Sequence, residues 1–206
     1  MHPNRAFAVP DRDVLADAAA IGFAHLFATT PDGPMVVHAP ITQSGDAVHF
    51  HVARGNRITR YLDGADVLVS VSGVQGYVSP NWYAQRRDQV PTWNYIAIEM
   101  EGRATALTQD DLIAQLDALA ATHEPRVIPD DPWSRAKMDP RAFARMLGGI
   151  RGFGLVPQAV RATAKLSQNK TAADRDGAVA GLRRAGHTAL ADAIVNAAPG
   201  ASGAQA

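Results

Sequence analysis

The segment HVARGNR, residues 51–57, combines two arginines with an asparagine where a predicted strand runs into a short helix. Guanidinium groups and the free N–H groups at a helix start both bind phosphate, because they present N–H donors to an anion. Arg54, Asn56 and Arg57 therefore predict an anion site. The alternative is a solvated strand end that carries surface arginines.

The segment KLSQN, which begins at Lys165, places one cation and two hydrogen-bonding side chains within four residues. Lysine is rare in this chain, which has three in all. Lys165, Ser167 and Gln168 therefore predict contacts to a phosphate or to the polar edge of a ligand. The same segment is typical of a helix-capping loop, with Asn169 or Thr171 as the cap.

The segment YVSPNWYAQRRDQVPTWNY, residues 77–95, holds two of the three tryptophans and three of the four tyrosines. An indole can lie against a flat ring, so Trp93 predicts a ring contact, and Thr92 and Asn94 can hydrogen-bond the edge of such a ring. Alternation along a strand puts Asn94 on the face opposite Trp93. The alternative is that the tryptophans and Tyr83 pack a loop core or a dimer interface.

His49 and His51 lie two residues apart on a predicted strand and so share one face. With His38 on the neighbouring strand, they could bind a metal ion or provide an axial ligand to haem. No Asp, Glu or Cys stands beside them at ligand spacing, so an ordinary pair of histidines is favoured and no metal site is predicted.

The overall composition excludes several classes of protein. The formal net charge is zero and the pI is near 7.1, which argues against a general nucleic-acid binder. The absence of cysteine excludes disulfides, thiolate metal sites and a cysteine nucleophile. The first residues lack the pattern of a signal peptide, and no apolar run approaches the roughly 20 residues of a membrane span. We therefore expect a cytoplasmic protein.

The chain contains runs of consecutive predicted strands joined by short turns. This order predicts an α+β fold, mainly β, in which an antiparallel barrel carries peripheral helices. Neither GxGxxG nor GxxxxGK[ST] occurs, so a doubly wound nucleotide-binding fold is not predicted. The strand patterns lie at residues 23–30, 35–41, 47–54, 66–74, 92–107 and 149–169.

Capping residues predict where the helices begin. Asp11, Thr108 and Asp139 each precede a helical pattern, and a helical hairpin joined at Gly186 ends the chain. We expect a single domain over residues 1–196, with the barrel over about 21–169, the hairpin over about 170–196 and a disordered tail over 197–206.

Four segments resemble the signature blocks of the PaiB-like proteins, often called FMN-binding negative transcriptional regulators. The segments are YVSPNWY, VPTWNY, HVARGN and KLSQNKTAADRDGAVAGL, and the resemblance extends from about Phe7 to Ala193. It implies the FMN-binding split barrel, which is also the fold of pyridoxamine-phosphate oxidases and many flavin reductases. It also implies a homodimer with FMN at the subunit interface.

The resemblance further implies which residues contact the cofactor. A hydrogen bond from His51 to FMN is the functional role expected of the histidine pair. The full set of expected FMN-binding residues is His51, Ala53, Arg54, Asn56, Thr92, Trp93, Asn94, Lys165, Ser167 and Gln168.

Two functions on this fold stay open, a flavin-dependent oxidoreductase and a flavin-sensing negative regulator. The first would use NAD(P)H and a small-molecule substrate. Direct DNA binding is not favoured, because the pair Arg183 and Arg184 is too small a basic feature for a recognition helix in the helical hairpin. The alternative is a barrel that binds haem or another aromatic metabolite instead of a flavin.

Overall fold

A computed structural model describes residues 2–9 and 13–197. Within these residues the chain packs as two compact units. Unit one contains the described residues of 1–12, 72–98 and 161–206, and unit two contains residues 13–71 and 99–160. The single domain over 1–196 stays a prediction, and the predicted tail lies, apart from Ala197, outside the described residues.

The described residues form seven strands and six α-helices. The strands are β1 (Phe23–Thr30), β2 (Gly33–Ser44), β3 (Ala47–Ala53), β4 (Asp66–Val78), β5 (Thr92–Ala106), β6 (Ile150–Leu155) and β7 (Ala159–Lys165). The helices are α1 (Val14–Ile21), α2 (Thr59–Leu62), α3 (Gln109–Val127), α4 (Pro140–Leu147), α5 (Ala172–Arg184) and α6 (Thr188–Asn196). None of these helices has the length and apolar character needed to cross a membrane.

The seven strands hydrogen-bond in the order β4-β1-β2-β3-β6-β5-β7, and β4 also pairs with β5. This additional pairing joins the ends of a six-strand set, so β1 to β6 close into a barrel. The paired strands run antiparallel, with Phe23 opposite Pro40 and Val48 opposite Leu155. The predicted α+β fold with an antiparallel barrel is confirmed.

Alternating strand residues supply the core of unit two. Ala24, Leu26 and Ala28 of β1 are buried, which is the period of two expected for a half-buried strand. Phe50 of β3 and Phe153 of β6 lie opposite each other with ring centroids 5.6 Å apart. These apolar contacts hold β3, the strand that leads into the HVARGNR segment.

The core of unit one packs α5 and α6 against the aromatic segment. Gly177 and Gly181 of α5 both face Trp82. A Cβ on Gly177 would collide with the Trp82 carbonyl oxygen, and a Cβ on Gly181 would collide with the indole ring. Glycine at these two positions therefore allows the helix to lie closer to the segment than any other residue would. The buried side chains of this core are Val78, Tyr83, Leu166, Ala178, Leu182, Leu190, Ala191 and Ile194.

Three strands differ from the sequence-based expectation. β2 spans Gly33–Ser44 instead of residues 35–41. β4 continues to Val78 instead of ending near Val74. The strand expected over 149–169 is divided into β6 and β7. Pro157 lies in the break, where a residue without an N–H group cannot donate a ladder hydrogen bond.

The helix caps agree with the sequence-based expectation at most positions. Thr108, Asp139 and Thr171 each accept a hydrogen bond from a backbone N–H group in the first turn of α3, α4 and α5, respectively. The cap of α1 is Asp13, whereas the predicted cap, Asp11, lies outside the described residues. Short polar side chains satisfy N–H groups that the helix itself leaves unpaired.

We predict that the substitution Gly177→Ala destabilises the protein. Helix propensity alone would make alanine more stable by about 1 kcal/mol. The collision with the Trp82 carbonyl oxygen should outweigh this gain and lower the free energy of unfolding by about 1–3 kcal/mol. Urea denaturation measures the difference, and Ala180→Gly, at an exposed position of the same helix, reports propensity without the collision. A Gly177→Ala variant more stable than the parent would contradict the close packing.

Candidate functional site

Two segments predicted to share a site, PTWNY and KLSQN, meet in unit one. The Lys165 ammonium group donates a hydrogen bond to Thr92 Oγ1 at 2.7 Å. Asn94 Nδ2 donates to Ser167 Oγ, also at 2.7 Å. The start of β5 and the loop after β7 are therefore joined by two side-chain hydrogen bonds.

Asn94 and Ser167 form the buried part of this junction. Asn94 is 1% exposed and Ser167 is 3% exposed. Ser167 has a φ of 60°, in the left-handed region that residues other than glycine seldom adopt. Asn94 Oδ1 is buried and has no hydrogen-bond partner, although an unpaired buried acceptor costs about 1–3 kcal/mol. These two residues fix the loop, and neither presents much surface to a ligand.

Gln168 also acts within the loop. Its Oε1 accepts a hydrogen bond from the Leu166 N–H group at 2.7 Å, and its Nε2 donates to the Ala164 carbonyl oxygen. Both ends of the amide are therefore used by neighbouring backbone. Of the three KLSQN side chains singled out in the sequence, Lys165 is the one that combines partial exposure with a charge.

Trp93 lies on the face of β5 opposite Asn94, as the alternation of the strand predicts. Its side chain is 49% exposed, and its indole N–H group donates to Gln75 Oε1 at 3.2 Å. Tyr77 of β4, which is 48% exposed, packs edge-to-face against it with ring centroids 6.3 Å apart. Trp93 and Tyr77 form an exposed aromatic pair.

Other aromatic residues of the same segment pack inside unit one. Tyr83 is 1% exposed, and Trp82 lies against α5. Lys170 lies over the Tyr83 ring, 4.7 Å from its centroid, and also donates to Gln89 Oε1. The pKa of the Tyr83 hydroxyl is raised by burial and by the nearby Asp174 carboxylate. For Trp82 and Tyr83, the alternative of a loop core is correct.

The strand–helix corner lies in unit two, where its polar groups already have backbone partners. Arg54 Nε donates to the Gly148 carbonyl oxygen at 2.9 Å. Asn56 Oδ1 accepts from the Ile58 N–H group at 3.2 Å. The Ala53 carbonyl oxygen accepts from the Thr59 hydroxyl at 2.8 Å. An anion site at Arg54, Asn56 and Arg57 and a contact from Ala53 to FMN stay predictions.

His51 and His49 lie on one face of β3, next to α3. His51 Nδ1 is 2.8 Å from Gln115 Oε1 of α3. Burial lowers the pKa of the His49 imidazole below its ordinary value of 6.5, and the charge of Asp111 opposes this shift. A role for His51 in FMN binding stays a prediction.

The structure does not bring His38 close to His49 and His51. His38 lies opposite His25, with ring centroids 4.6 Å apart, whereas His49 lies opposite Thr42. Thr42 is four residues further along β2, a distance of about 13 Å. No group of three or more metal-ligating side chains occurs in the part of the chain that the structure describes.

A cavity of about 680 Å³ in unit two was not anticipated from the sequence. Its walls come from β1, β2, β4 and β5, with Phe27, Val36 and Leu68 among the apolar lining residues and Arg57 among the polar ones. Arg57, which is absent from the expected set of FMN-binding residues, is the part of the HVARGNR segment that reaches this cavity. The sequence feature that could have indicated this cavity is that β1 carries apolar residues on both faces. Phe23 and Phe27 alternate along the strand with its buried residues.

Comparison with known proteins identifies the family. A family model described as "Putative FMN-binding domain" matches residues 1–158. "Protease synthase and sporulation protein PAI 2" of Bacillus subtilis is 35% identical over 152 residues, which are 71% of this chain and 72% of the relative. The chain belongs to this FMN-binding family. The predicted PaiB-like membership and the predicted cofactor, FMN, are confirmed.

Solved structures share the fold of this FMN-binding family member. A FAD- and haem-binding protein from Mycobacterium smegmatis has a TM-score of 0.56 and 18% identity, covering 77% of this chain and 73% of its own. The flavocytochrome Anf3 from Azotobacter vinelandii has a TM-score of 0.57 and 16% identity, covering 80% and 72%. A conserved hypothetical protein from Mycobacterium tuberculosis has a TM-score of 0.57 and 14% identity, covering 80% and 91%. The predicted split-barrel fold is confirmed.

The chemistry of the side chains in unit one fits FMN. A flavin needs a surface for its flat ring, hydrogen-bonding groups for its ring edge and a cation for its phosphate. The exposed Trp93–Tyr77 pair offers a surface for the flat ring, Thr92 offers a hydroxyl for the ring edge, and Lys165 offers a cation for the phosphate. Thr92, the first residue of β5, is half-buried.

We predict that His49→Gln reduces the loss of stability in acid. Burial lowers the pKa of His49 in the folded chain, so the unfolded chain binds this proton more readily. The stabilising contribution is therefore present above about pH 6.5 and is lost as the pH falls below that value, with a slope of at most about 1.4 kcal/mol per pH unit. Urea denaturation of both proteins between pH 8 and pH 5 should show a shallower decline for the variant. Parallel curves would contradict the burial of this imidazole.

Proposed function

We propose that this chain is an FMN-dependent oxidoreductase that holds its cofactor with residues of unit one. The observation that carries the proposal is the meeting of PTWNY and KLSQN, which are about 70 residues apart in sequence, through the Lys165–Thr92 and Asn94–Ser167 hydrogen bonds. Family membership supplies the cofactor. The two segments supply the groups that the cofactor requires.

The exposed aromatic pair is proposed to bind the isoalloxazine ring. Trp93 and Tyr77 leave about half of their side-chain surface open, at 49% and 48%. An indole that faces water gains by covering itself with a flat apolar ring. The hydrogen bond from the Trp93 indole to Gln75 holds the ring in one orientation, so little conformational freedom is lost when a ligand binds.

Lys165 is proposed to bind the FMN phosphate. The contact that the structure shows for its ammonium group is a neutral hydroxyl, that of Thr92, and not a carboxylate. Its charge is therefore available to an anion. The buried Asn94–Ser167 bond and the Gln168 amide keep the loop that follows Lys165 in place. These three residues act as positioning residues in this proposal.

Bound FMN supplies hydride and single-electron transfer. The side chains of this chain bind and orient the cofactor. We propose NAD(P)H as the electron donor and a small molecule as the acceptor. We also propose a cytoplasmic location.

We propose that the protein is a homodimer with FMN at the subunit interface. The outer face of β1 and β2 exposes Phe23 (51%), Phe27 (42%) and Val36 (40%). Exposed apolar side chains grouped on one face of a sheet are typical of a covered surface. Light scattering that gives the mass of one chain at micromolar concentration would contradict this part of the proposal.

A purely regulatory role receives less support from the structure. Arg183, one of the two arginines considered for DNA, forms a 2.9 Å ion pair with Asp192. A compensated arginine contributes little to phosphate binding. Haem binding is the remaining alternative, since two structures of the same fold are described as haem-binding or as a flavocytochrome. A Soret band that forms on haem titration and is lost in His51→Ala would favour it.

We predict that Lys165→Met weakens FMN binding by about 1–3 kcal/mol, which is roughly five- to 150-fold in the dissociation constant. The same variant should bind riboflavin, which lacks the phosphate, as tightly as the parent does. Trp93→Ala should weaken the binding of both flavins, because it removes a ring contact. Quenching of flavin fluorescence measures the affinities of the parent and of both variants for each flavin.

Matched controls come from unit two. Lys137→Met removes an exposed lysine that is paired with Asp131, and Trp133→Ala removes a tryptophan that is 39% exposed. Neither control should change flavin affinity by more than about twofold. If Lys165→Met and Trp93→Ala bind FMN like the parent, the proposed site in unit one is wrong.

We predict that the FMN-loaded protein oxidises NADH or NADPH faster than the same concentration of free FMN. The loss of reduced-nicotinamide absorbance measures the rate. Trp93→Ala should lower the rate at sub-saturating FMN, whereas Trp133→Ala should not. A rate equal to that of free FMN, in a protein that retains the flavin, would leave flavin sensing as the function and exclude turnover with these donors.

A further inference from the structure

Unit two contains an apolar cavity of about 500 Å³ between α3 and α4. It shares no residue with the set expected to bind FMN. A second cavity of about 990 Å³ adjoins it, and the two share six lining residues: Asp117, Ala120, Trp133, Arg135, Met138 and Phe143. The apolar side chains of the first cavity include Leu116, Leu119, Ala120, Phe143, Met146 and Leu147.

The segment between the two helices forms one wall of this cavity and is held there by polar contacts. The backbone N–H group of Trp133 donates a hydrogen bond to Glu124 Oε2 at 3.0 Å. Arg135 donates to both carboxylate oxygens of Asp117, at 3.1 and 2.9 Å. These contacts bring two carboxylates and one guanidinium group to the edge of a space whose other lining residues are apolar, apart from His123.

The charges at the cavity do not cancel. Asp117 is neutralised by Arg135, since the two form a bidentate ion pair. The contact that the structure shows for Glu124 is a peptide N–H group, and among the described residues no cation forms an ion pair with it. The ionised groups of the lining, Asp117, Glu124 and Arg135, therefore leave one negative charge beside the apolar walls.

In one wall of the cavity, a cationic side chain already lies over an aromatic ring. The Arg135 guanidinium lies over the Phe143 ring, 5.4 Å from its centroid. Aromatic faces attract cations through their quadrupole, and tryptophan does so most strongly. Trp133 lines the same cavity and is 39% exposed. A cation placed beside Trp133 and Glu124 would meet both an aromatic ring and an uncompensated carboxylate.

We propose that this cavity binds an organic monocation with an apolar body, of the aryl- or alkyl-amine class. The volume lies within the range of about 300–1,000 Å³ that is usual for small-molecule sites. The apolar walls suit the body of such a molecule, and Glu124 selects the sign of its charge. The proposal is independent of flavin binding.

Methionine NMR on the full chain tests the proposal at the cavity itself. Of the five methionines, Met138 and Met146 line this cavity, whereas Met100 is buried elsewhere and serves as an internal reference. 4-Phenylbutylamine should shift the methyl signals of Met138 and Met146 saturably and leave that of Met100 in place. 4-Phenylbutyrate, an arylalkyl anion of similar length, should bind at least tenfold more weakly, and FMN should leave both signals unchanged.

Two variants separate the contributions of space and charge. Ala120→Phe fills the cavity and should abolish the shifts, whereas Ala114→Phe, at an exposed position of the same helix, should retain them. Glu124→Gln keeps an acceptor for the Trp133 N–H group but removes the charge, and should weaken amine binding by about tenfold. Circular dichroism confirms that each variant is folded.

The proposal is overturned if the amine causes no saturable shift in the parent protein. It is also overturned if the carboxylate binds as tightly as the amine, or if Glu124→Gln leaves amine binding unchanged. Shifts that persist in a folded Ala120→Phe variant would show that the amine binds elsewhere.

Discussion

The buried hydrogen bond between Asn94 and Ser167 is the contact on which the candidate site in unit one depends. It joins the start of β5 to the loop after β7, and it lies where water cannot replace it. Ser167 reaches its partner in a left-handed conformation, and Gln168 closes the same loop through backbone contacts on both ends of its amide. Breaking the bond between Asn94 Nδ2 and Ser167 Oγ inside this junction would leave two buried groups without a partner, which disfavours other arrangements of the loop. The position of Lys165 beside Thr92 follows from this junction.

Alternation across the strands then decides what each residue can do. Trp93 follows Thr92 and precedes Asn94, so its ring emerges on the exposed face of β5 while Thr92, which is half-buried, and Asn94, which is buried, lie on the other face. The same rule acts on β1, where Leu26 enters the core of unit two and Phe27 stays at the surface. Exposed aromatic rings grouped on one face of a sheet are a surface that a ligand or a partner can cover.

Most charged side chains whose contacts are described here serve local structure. Arg54 closes the end of α4 through the Gly148 carbonyl oxygen, Arg135 pairs with Asp117, and Arg183 pairs with Asp192. This pairing agrees with a net charge of zero. Lys165 and Glu124 lie at the candidate sites, and the partners shown for them, a hydroxyl and a peptide N–H group, are neutral. A charge without a counter-charge is the kind of group that a ligand of opposite sign can use.

The sequence by itself determined the fold class, most strand and helix positions, three of the helix caps and the family. These features depend on residues close together in the chain, whose periodicity and capping chemistry act locally. It also predicted that Trp93 and Asn94 face opposite ways. Tertiary structure decided that Trp82 and Tyr83 are core residues, that Gln168 serves its own loop, and that Arg54 donates to a backbone carbonyl. A sequence pattern shows which face of a strand or helix is apolar or polar, but the group that covers that face comes from a distant part of the chain, and only packing brings the two together.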